Sequence, residues 1–506
     1  MSASAATFDL LVVGGGINGA GIARDAAGRG LSVLLVERDD LASATSSQST
    51  KLIHGGLRYL EHYEFRLVGE ALAEREVMLS IAPHLVEPLA FVLPHEPHLR
   101  PAWMIRAGLF LYDRLGGRMS LPRSSGVRLD GSRWGAGLQP RFRKGFVYAD
   151  ARVDDARLVV SNAMSARAHG ATVRTRTRFV SARREAGVWR ATIEGAGGRE
   201  EVTARAIVNA GGPWVAEVLG STDAPPSGAS VRHVKGSHIV VPRVHDEEHA
   251  YILQNSDQRI VFVIPYLERY SLIGTTDVPV DDWAAPRISD DEIDYLLALA
   301  NGYLAKPLAR SDIVWSYSGV RPLHDDGSSN PSAVTRDYLL KVEATEGPPG
   351  PGRAPVLSIY GGKITTYRKL AEAALADLAP YFPGLKPAWT ATEALPGGDL
   401  PKGDRAALLA SLCARYPAIP VDLLRPLARR HGTLAASVLG DASRPEDLGE
   451  AFGGGLTERE IAYLVGHEWA REPEDVLWRR TKCALPMTQG EREHAAARIR
   501  ALATRA

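Results

Sequence analysis

The chain has 506 residues, too many for one ordinary core, so two or three domains are expected. Its 60 basic and 59 acidic residues leave no global charge to draw in nucleic acid. Only two cysteines are present, Cys413 and Cys483, which excludes a disulfide framework or a CxxC pair and suits a reducing, cytoplasmic compartment.

The opening MSASAATFDL lacks the charged and apolar regions of a signal peptide, and no stretch reaches the roughly 18 apolar residues of a membrane span. Leu10 to Val13 then reads as an apolar strand entering Gly14-x-Gly16-x-x-Gly19. A small-residue helix follows, and a second apolar strand, Val33 to Val36, ends on Glu37. This is a dinucleotide-binding βαβ unit: Gly14 permits the tight turn, Gly16 the approach of a pyrophosphate, and Gly19 the packing of helix on strand. The helix N-terminus, with Asn18 in its first turn, favours the phosphates. Glu37 stands about 20 residues on, where a carboxylate accepts ribose hydroxyls.

The Ser/Thr-rich loop from Ala44 brings Thr45, Ser46, Ser47, Lys51 and His54 toward that helix terminus, with backbone donors at Gly55 and Gly56. Glu61 to Ser80 and Asp154 to Gly170 read as helices. Thr172 to Phe179 and Val188 to Ile193 alternate like strands. Ala206 to Ala210 is an apolar strand entering a second glycine turn at Gly211, a late return to the nucleotide sheet that places Ala210 and Gly211 beside the cofactor.

Val231 to Asp277 is rich in β-branched residues and predicts an antiparallel substrate domain. Asp337 to Val342 and Val356 to Tyr360 predict paired strands around a Pro/Gly loop. Gly361-Gly362-Lys363 opens a helix from Thr365 to Leu378. Such a helix terminus, aimed at a flavin's N1–C2=O edge, stabilises the negative charge that reduction places there, so Gly362, Lys363 and Thr365 join the cofactor contacts. One fingerprint at the N-terminus together with this late helix favours FAD over a nicotinamide cofactor. Leu395 to Asp399 reads as a linker, and the remainder as helical.

The fold class is therefore α/β. Six segments follow: FAD-binding at 1–80, 145–225 and 335–394, a substrate and membrane-contact region at 81–144, a β-rich substrate domain at 226–334, and a C-terminal helical domain at 395–506.

From GGGINGAGIARDAAGRG through STKLIHGGLRYLEHYEF, NAGGPWV, KGSHIVVPR, GTTDVP, YSGVRPL, TRDY and GGKITTYRKLAE, the chain resembles the FAD-dependent, respiratory glycerol-3-phosphate dehydrogenases. The resemblance covers residues 8 to 400 and, more loosely, the helical C-terminus. It implies a D-amino-acid-oxidase-like fold and oxidation of glycerol 3-phosphate to dihydroxyacetone phosphate. It also implies transfer of electrons to membrane quinone from the inner face of the cell membrane. A homodimer stays open, and no metal is implied.

That reaction needs a base and cations for a phosphate dianion. Arg321 in YSGVRPL resembles the family's phosphate-binding arginine, and Arg forks suit phosphate. Arg58, Arg336 and Lys363 are further cations, and Tyr59 is a candidate pocket hydroxyl. His238 and His54 contend for the base, since imidazole titrates near neutrality. Placement in the substrate domain favours His238, leaving His54 to order the flavin.

Quinone lies in the bilayer, so a contact is expected without a spanning helix. His98 to Arg118 is the candidate, with Trp103, Ile105 and Phe110 among its apolar residues and arginines flanking them to attract an anionic lipid surface. Three other functions are weighed against the dehydrogenase. An oxygen-using oxidase of the same family usually carries an insertion not seen here. An FAD-dependent RNA-modifying protein would need a basic stripe. A silent lipid-binding scaffold would not need the retained His and Arg set.

Overall fold

The computed structural model describes residues 6–96, 100–255, 259–325, 337–400 and 403–505. Among these, two sheets carry the molecule, one of eight strands and one of ten.

The first sheet has at its centre Ala6–Val13, paired in parallel with Val33–Val36 on one side and Gly198–Asn209 on the other. Val356–Gly361 continues it in parallel, and Tyr338–Glu343 closes that edge antiparallel. Successive side chains of the central strand point to opposite faces. Leu10 and Val12 enter a core with the helices Ile17–Gly28, Asp155–Ala168 and Tyr367–Leu378. Leu11 and Val13 enter another with Trp189 and Ile193 of the hairpin Arg178–Glu185/Val188–Gly195. Cover on both faces is why the strand reads as an unbroken apolar run.

The second sheet is built on Val231–Pro242, flanked by Tyr270–Gly274 and Trp315–His324. Ile260–Tyr266, His249–Gln254, Val86–Pro94 and Lys144–Val153 extend it. Here the expected segmentation needs correction. Lys144–Val153 pairs with Val86–Pro94 from Val86↔Val153 to Pro94↔Gly145, and Leu52–Ile53 pairs with its far end. Leu52–Ile53 and all but the first residue of Lys144–Val153 fell inside the expected FAD-binding segments, yet both pair into the second sheet. The chain crosses between sheets at 51–52 and again at 153–154.

Local boundaries also differ. The helix expected from Glu61 starts at Phe65, because Tyr63 takes a positive φ of 60° that ends the preceding 3₁₀ turn, Leu57–His62. Thr172 to Phe179 splits at Arg176, whose φ is 53°. Leu395 to Asp399 is no loose linker. Leu395 is buried, its N–H donates to Ile81 O at 2.8 Å, and Gly397 O accepts from Thr433 N at 3.1 Å.

The C-terminal unit has its own cores, one around Leu424 and Leu427, another around Ile461 and Leu464. Buried ion pairs fasten it to the first sheet's layer. Arg157 Nη2 meets Glu468 Oε1 at 3.0 Å, and Arg480 grips Asp40.

Candidate active site

A cavity of about 770 Å³ runs from the glycine turn of the first sheet to the inner face of the second. At its first end stand Gly14, Gly16, Asn18 and Glu37. Gly14 has φ +112°, and a Cβ there would lie 2.5 Å from Ala210 O, so only glycine makes this turn. Gly19 is off the wall: a Cβ on it would sit 1.9 Å from Gly14 O, which makes its role packing of helix on strand. Ile17 N, the first amide of the helix, donates to Ser46 Oγ at 3.0 Å. Glu37 accepts Gly15 N at 2.7 Å and Asp39 N at 2.9 Å, and burial raises its pKa against those contacts. Each carboxylate oxygen keeps a second lone pair for a hydroxyl.

Thr45, Ser46, His54 and Gly56 line the middle, with Ala210 and Gly211 opposite and Gly362, Lys363 and Thr365 beyond. Besides Gly19, three expected cofactor contacts lie off the cavity wall. Lys51 is buried with its ammonium on Asp155, 2.8 and 2.9 Å from the two oxygens, and on Ser47 O at 2.9 Å. Ser47 turns away with it, its Oγ on Ala44 O at 3.4 Å. Gly55 packs on Leu72 and donates to Tyr112 Oη at 2.9 Å. The sequence offered no way to see that Asp155, about a hundred residues on, claims the lysine.

At the far end the cavity meets Arg58, Tyr59, His238 and Arg321. Arg336 lies outside the described residues. The Lys363 ammonium stands over the Tyr59 ring, 3.8 Å from its centroid. Arg321 pairs with Asp277 and donates to Thr275 Oγ1 at 3.0 Å; Gly236, with no side chain, leaves room for its guanidinium. His238 is buried, stacked on Tyr317 at 4.8 Å, with Nε2 3.0 Å from Thr50 Oγ1. Burial, then Arg321 and Lys51, hold its pKa well below the usual imidazole value. His54 meets Phe262 edge-on at 6.2 Å, and burial followed by Lys363 lowers its pKa to about 4. Both shifts favour the neutral imidazole near pH 7 and weaken each ring as a base.

Sequence reasoning missed Thr50, Gln48, Thr275, Asp277 and the room-making Gly236 and Gly274. The signals were present in SSQST, GTTD and KGS, but nothing in the sequence paired Gly274 with His238 across the sheet.

Residues 9–368 match the model of the FAD dependent oxidoreductase family, and residues 388–505 match the C-terminal domain of alpha-glycerophosphate oxidase. The chain is 56% identical to the aerobic glycerol-3-phosphate dehydrogenase of Escherichia coli, over 94% of each chain. The chain belongs to the FAD-dependent glycerol-3-phosphate dehydrogenases. Within that family's wider circle it is 50% identical to the D-erythritol 1-phosphate dehydrogenase of Brucella abortus, over 96% of each chain. The solved glycerol-3-phosphate dehydrogenase from Bacillus halodurans complexed with FAD matches all of this chain and 96% of its own, at 26% identity and a TM-score of 0.72. FAD is accordingly the cofactor of this dehydrogenase.

Proposed function

We propose that the chain oxidises sn-glycerol 3-phosphate to dihydroxyacetone phosphate with FAD in the main cavity and passes the electrons to membrane quinone. The observation that carries this reading is the convergence of two histidines and three cations on the cavity that begins at the glycine turn.

The wall suits a dinucleotide. A cavity of about 770 Å³ is within the range for cofactor sites. The buried Asn18 Oδ1 and Gln48 Oε1 on its wall have no hydrogen-bond partner among the described residues. Gly14, Gly16 and the Ile17 helix terminus take the pyrophosphate, Glu37 the ribose, and Gly362 to Thr365 the flavin edge. Bound FAD supplies the hydride acceptor.

The chain's own residues do the rest. Arg58, Arg321 and Lys363 hold the phosphate and Tyr59 flanks it. His238 takes the hydroxyl proton at Nε2, the nitrogen beside Thr50 Oγ1, since its buried Nδ1 has no hydrogen-bond partner among the described residues. The carbon gives up a hydride and the oxygen a proton, which leaves the ketone.

Quinone must reach the enzyme from the bilayer. Among the described residues no helix is long and apolar enough to cross a membrane. The helix Ala102–Leu115 instead exposes Trp103 (71%) and Phe110 (53%), with Tyr63 (80%) on the neighbouring turn. Leu109 and Tyr112 anchor its other side in the second core. Arg114 lies over the Phe110 ring at 3.5 Å. This face suits peripheral attachment to the inner side of the cell membrane.

The test is anaerobic mixing of the flavin-loaded protein with glycerol 3-phosphate, and in parallel with D-erythritol 1-phosphate. Loss of the yellow colour with glycerol 3-phosphate, then fast recovery with quinone and slow recovery with air, supports the reading. Preference for the tetritol phosphate would change the substrate, and fast recovery in air would make the protein an oxidase.

A further inference from the structure

The cavity wall beside the glycine turn is the loop after Val33–Val36. Arg38, Asp39, Ala42 and Ser43 line it, and Ala42 N donates to Gly15 O at 3.0 Å. Two residues between Asp39 and Ala42 are off the wall: Leu41 in the first sheet's core, and Asp40 facing the C-terminal unit. Asp40 is fully buried, and its carboxylate receives Arg480 Nη1 at 2.6 Å, Arg480 Nη2 at 2.8 Å and Arg479 Nε at 2.6 Å.

Both arginines belong to the C-terminal unit, about 440 residues along the chain. They end a π-helix, Asp475–Arg480, closed by Thr481 N on Val476 O at 3.0 Å. Such helices are rare and cluster at functional sites. Here the wide turn brings two consecutive arginines to one carboxylate. A second link runs parallel to the first. Asp475 accepts Arg176 Nη2 at 2.9 Å, and Arg176 N donates to Asp39 O at 2.8 Å. The loop is thus held by the glycine turn on its cavity side and by the C-terminal unit on its other side. Buried ion pairs gain little net stability because both ions lose water; their strength is in fixing geometry.

We propose that the C-terminal helical unit is part of the FAD-binding apparatus, with Arg480 positioning the 38–44 loop through Asp40 so that the loop is formed before the cofactor arrives. The proposal rests on the assignment of this end of the cavity to FAD. Arg480 is a positioning residue and does not line the cavity. Preorganisation of this kind raises affinity by removing the ordering cost from the binding step.

The experiment compares full-length wild type, Arg480→Met and Arg430→Met after removal of flavin. Arg430 pairs with Glu460 entirely within the C-terminal unit, so its loss weakens that unit and leaves the clamp. Two quantities are read: the Kd for FAD, and the rise in Tm on saturation with FAD, which follows from that Kd. Arg480→Met should raise the Kd at least tenfold and shrink the FAD-induced Tm rise, with KM for glycerol 3-phosphate unchanged at saturating FAD. Arg430→Met should lower the Tm of apo and loaded forms together, with Kd unchanged. Should Arg480→Met fail to fold, Asp40→Asn keeps the shape and removes the charge, and the same readouts apply. A wild-type Kd in the folded clamp variant overturns the proposal, as does an equal rise in both variants. Gly16→Val separates the underlying assignment: a wild-type Kd there would mean that FAD is not held at this turn at all.

Discussion

Arg321 and Asp277 form an ion pair on the wall of the main cavity, and Thr275 Oγ1 holds the other arm of the guanidinium at 3.0 Å. The cation expected to take the substrate phosphate thus carries its own counter-ion. Arg58 stands on the same wall and makes no ion pair among the described residues.

The two arginines should therefore differ in weight. A charge-assisted contact is worth about 1.5–3 kcal/mol. Arg58→Ala should raise KM for glycerol 3-phosphate roughly 10- to 150-fold by that measure, and Arg321→Ala by less, with FAD retained in both. Steady-state kinetics on flavin-saturated protein checks the order; a larger effect at Arg321 would show that Asp277 gives way when substrate binds.

His238→Gln should lower kcat roughly 10²–10⁴-fold, the usual contribution of a positioned base. Gly274→Ala should act through the same ring, because the new methyl would lie 2.1 Å from His238 Cδ2. His54→Gln is the comparison. If it carries the loss and His238→Gln does not, the two assignments exchange.

The fingerprint glycines should separate binding from folding. A Cβ at Gly16 would meet only Ser46 Oγ, at 3.2 Å, whereas one at Gly19 would strike backbone at 1.9 Å. Gly16→Val should give a folded protein that purifies colourless. Gly19→Ala should lose thermal stability even when loaded with FAD. Circular dichroism and the flavin-to-protein ratio read the two effects, and a yellow Gly16→Val protein would contradict the proposed pyrophosphate site.

Membrane contact is best probed at the exposed residues. Ile105 is half-buried and packs on the second core, so its loss would confound folding with binding. Tyr63→Ser, Trp103→Ser and Phe110→Ser together remove mainly exposed apolar area. Binding to anionic vesicles should fall sharply, and added salt should weaken the remainder by screening the arginines. Reduction by substrate should survive while quinone turnover drops. Unchanged co-sedimentation would send the search for the contact elsewhere.

Acid should destabilise the fold from about pH 6.5 downward. Burial lowers the pKa of His54 and His245 to about 4 and of His84 and His249 to about 3. Unfolded histidine takes a proton near pH 6.5, so below that value the unfolded chain binds more protons and stability falls with falling pH. His249 stacks on His245 at 4.7 Å, and neither ring nitrogen of His249 has a hydrogen-bond partner among the described residues. His249→Phe keeps the ring and removes the titration. Its urea midpoint should drop less than that of the wild type between pH 7.5 and pH 5; an equal drop would place the acid sensitivity in other groups.

Much of the first sheet was legible as local pattern. Leu10 to Val13, the three glycines and Val33 to Val36 sit within thirty residues, and each obeys a short-range rule of period, turn or helix terminus. Thr45, Ser46, His54, His238, Arg321 and Lys363 were likewise placed on the cavity by motif. Partnership was not legible, because it joins residues far apart in the chain. Asp155 takes Lys51 off the cofactor list, Asp277 neutralises Arg321, and Gly274 makes room for His238. Lys144–Val153 was not read as a strand, and only its pairing with Val86–Pro94 places this part of an expected FAD-binding segment in the second sheet. The Asp40–Arg480 contact is the extreme case. An aspartate in a polar loop and an arginine in a polar helix look like surface residues, and only the packing of the C-terminal unit against the loop removes both from water and makes each the other's counter-charge.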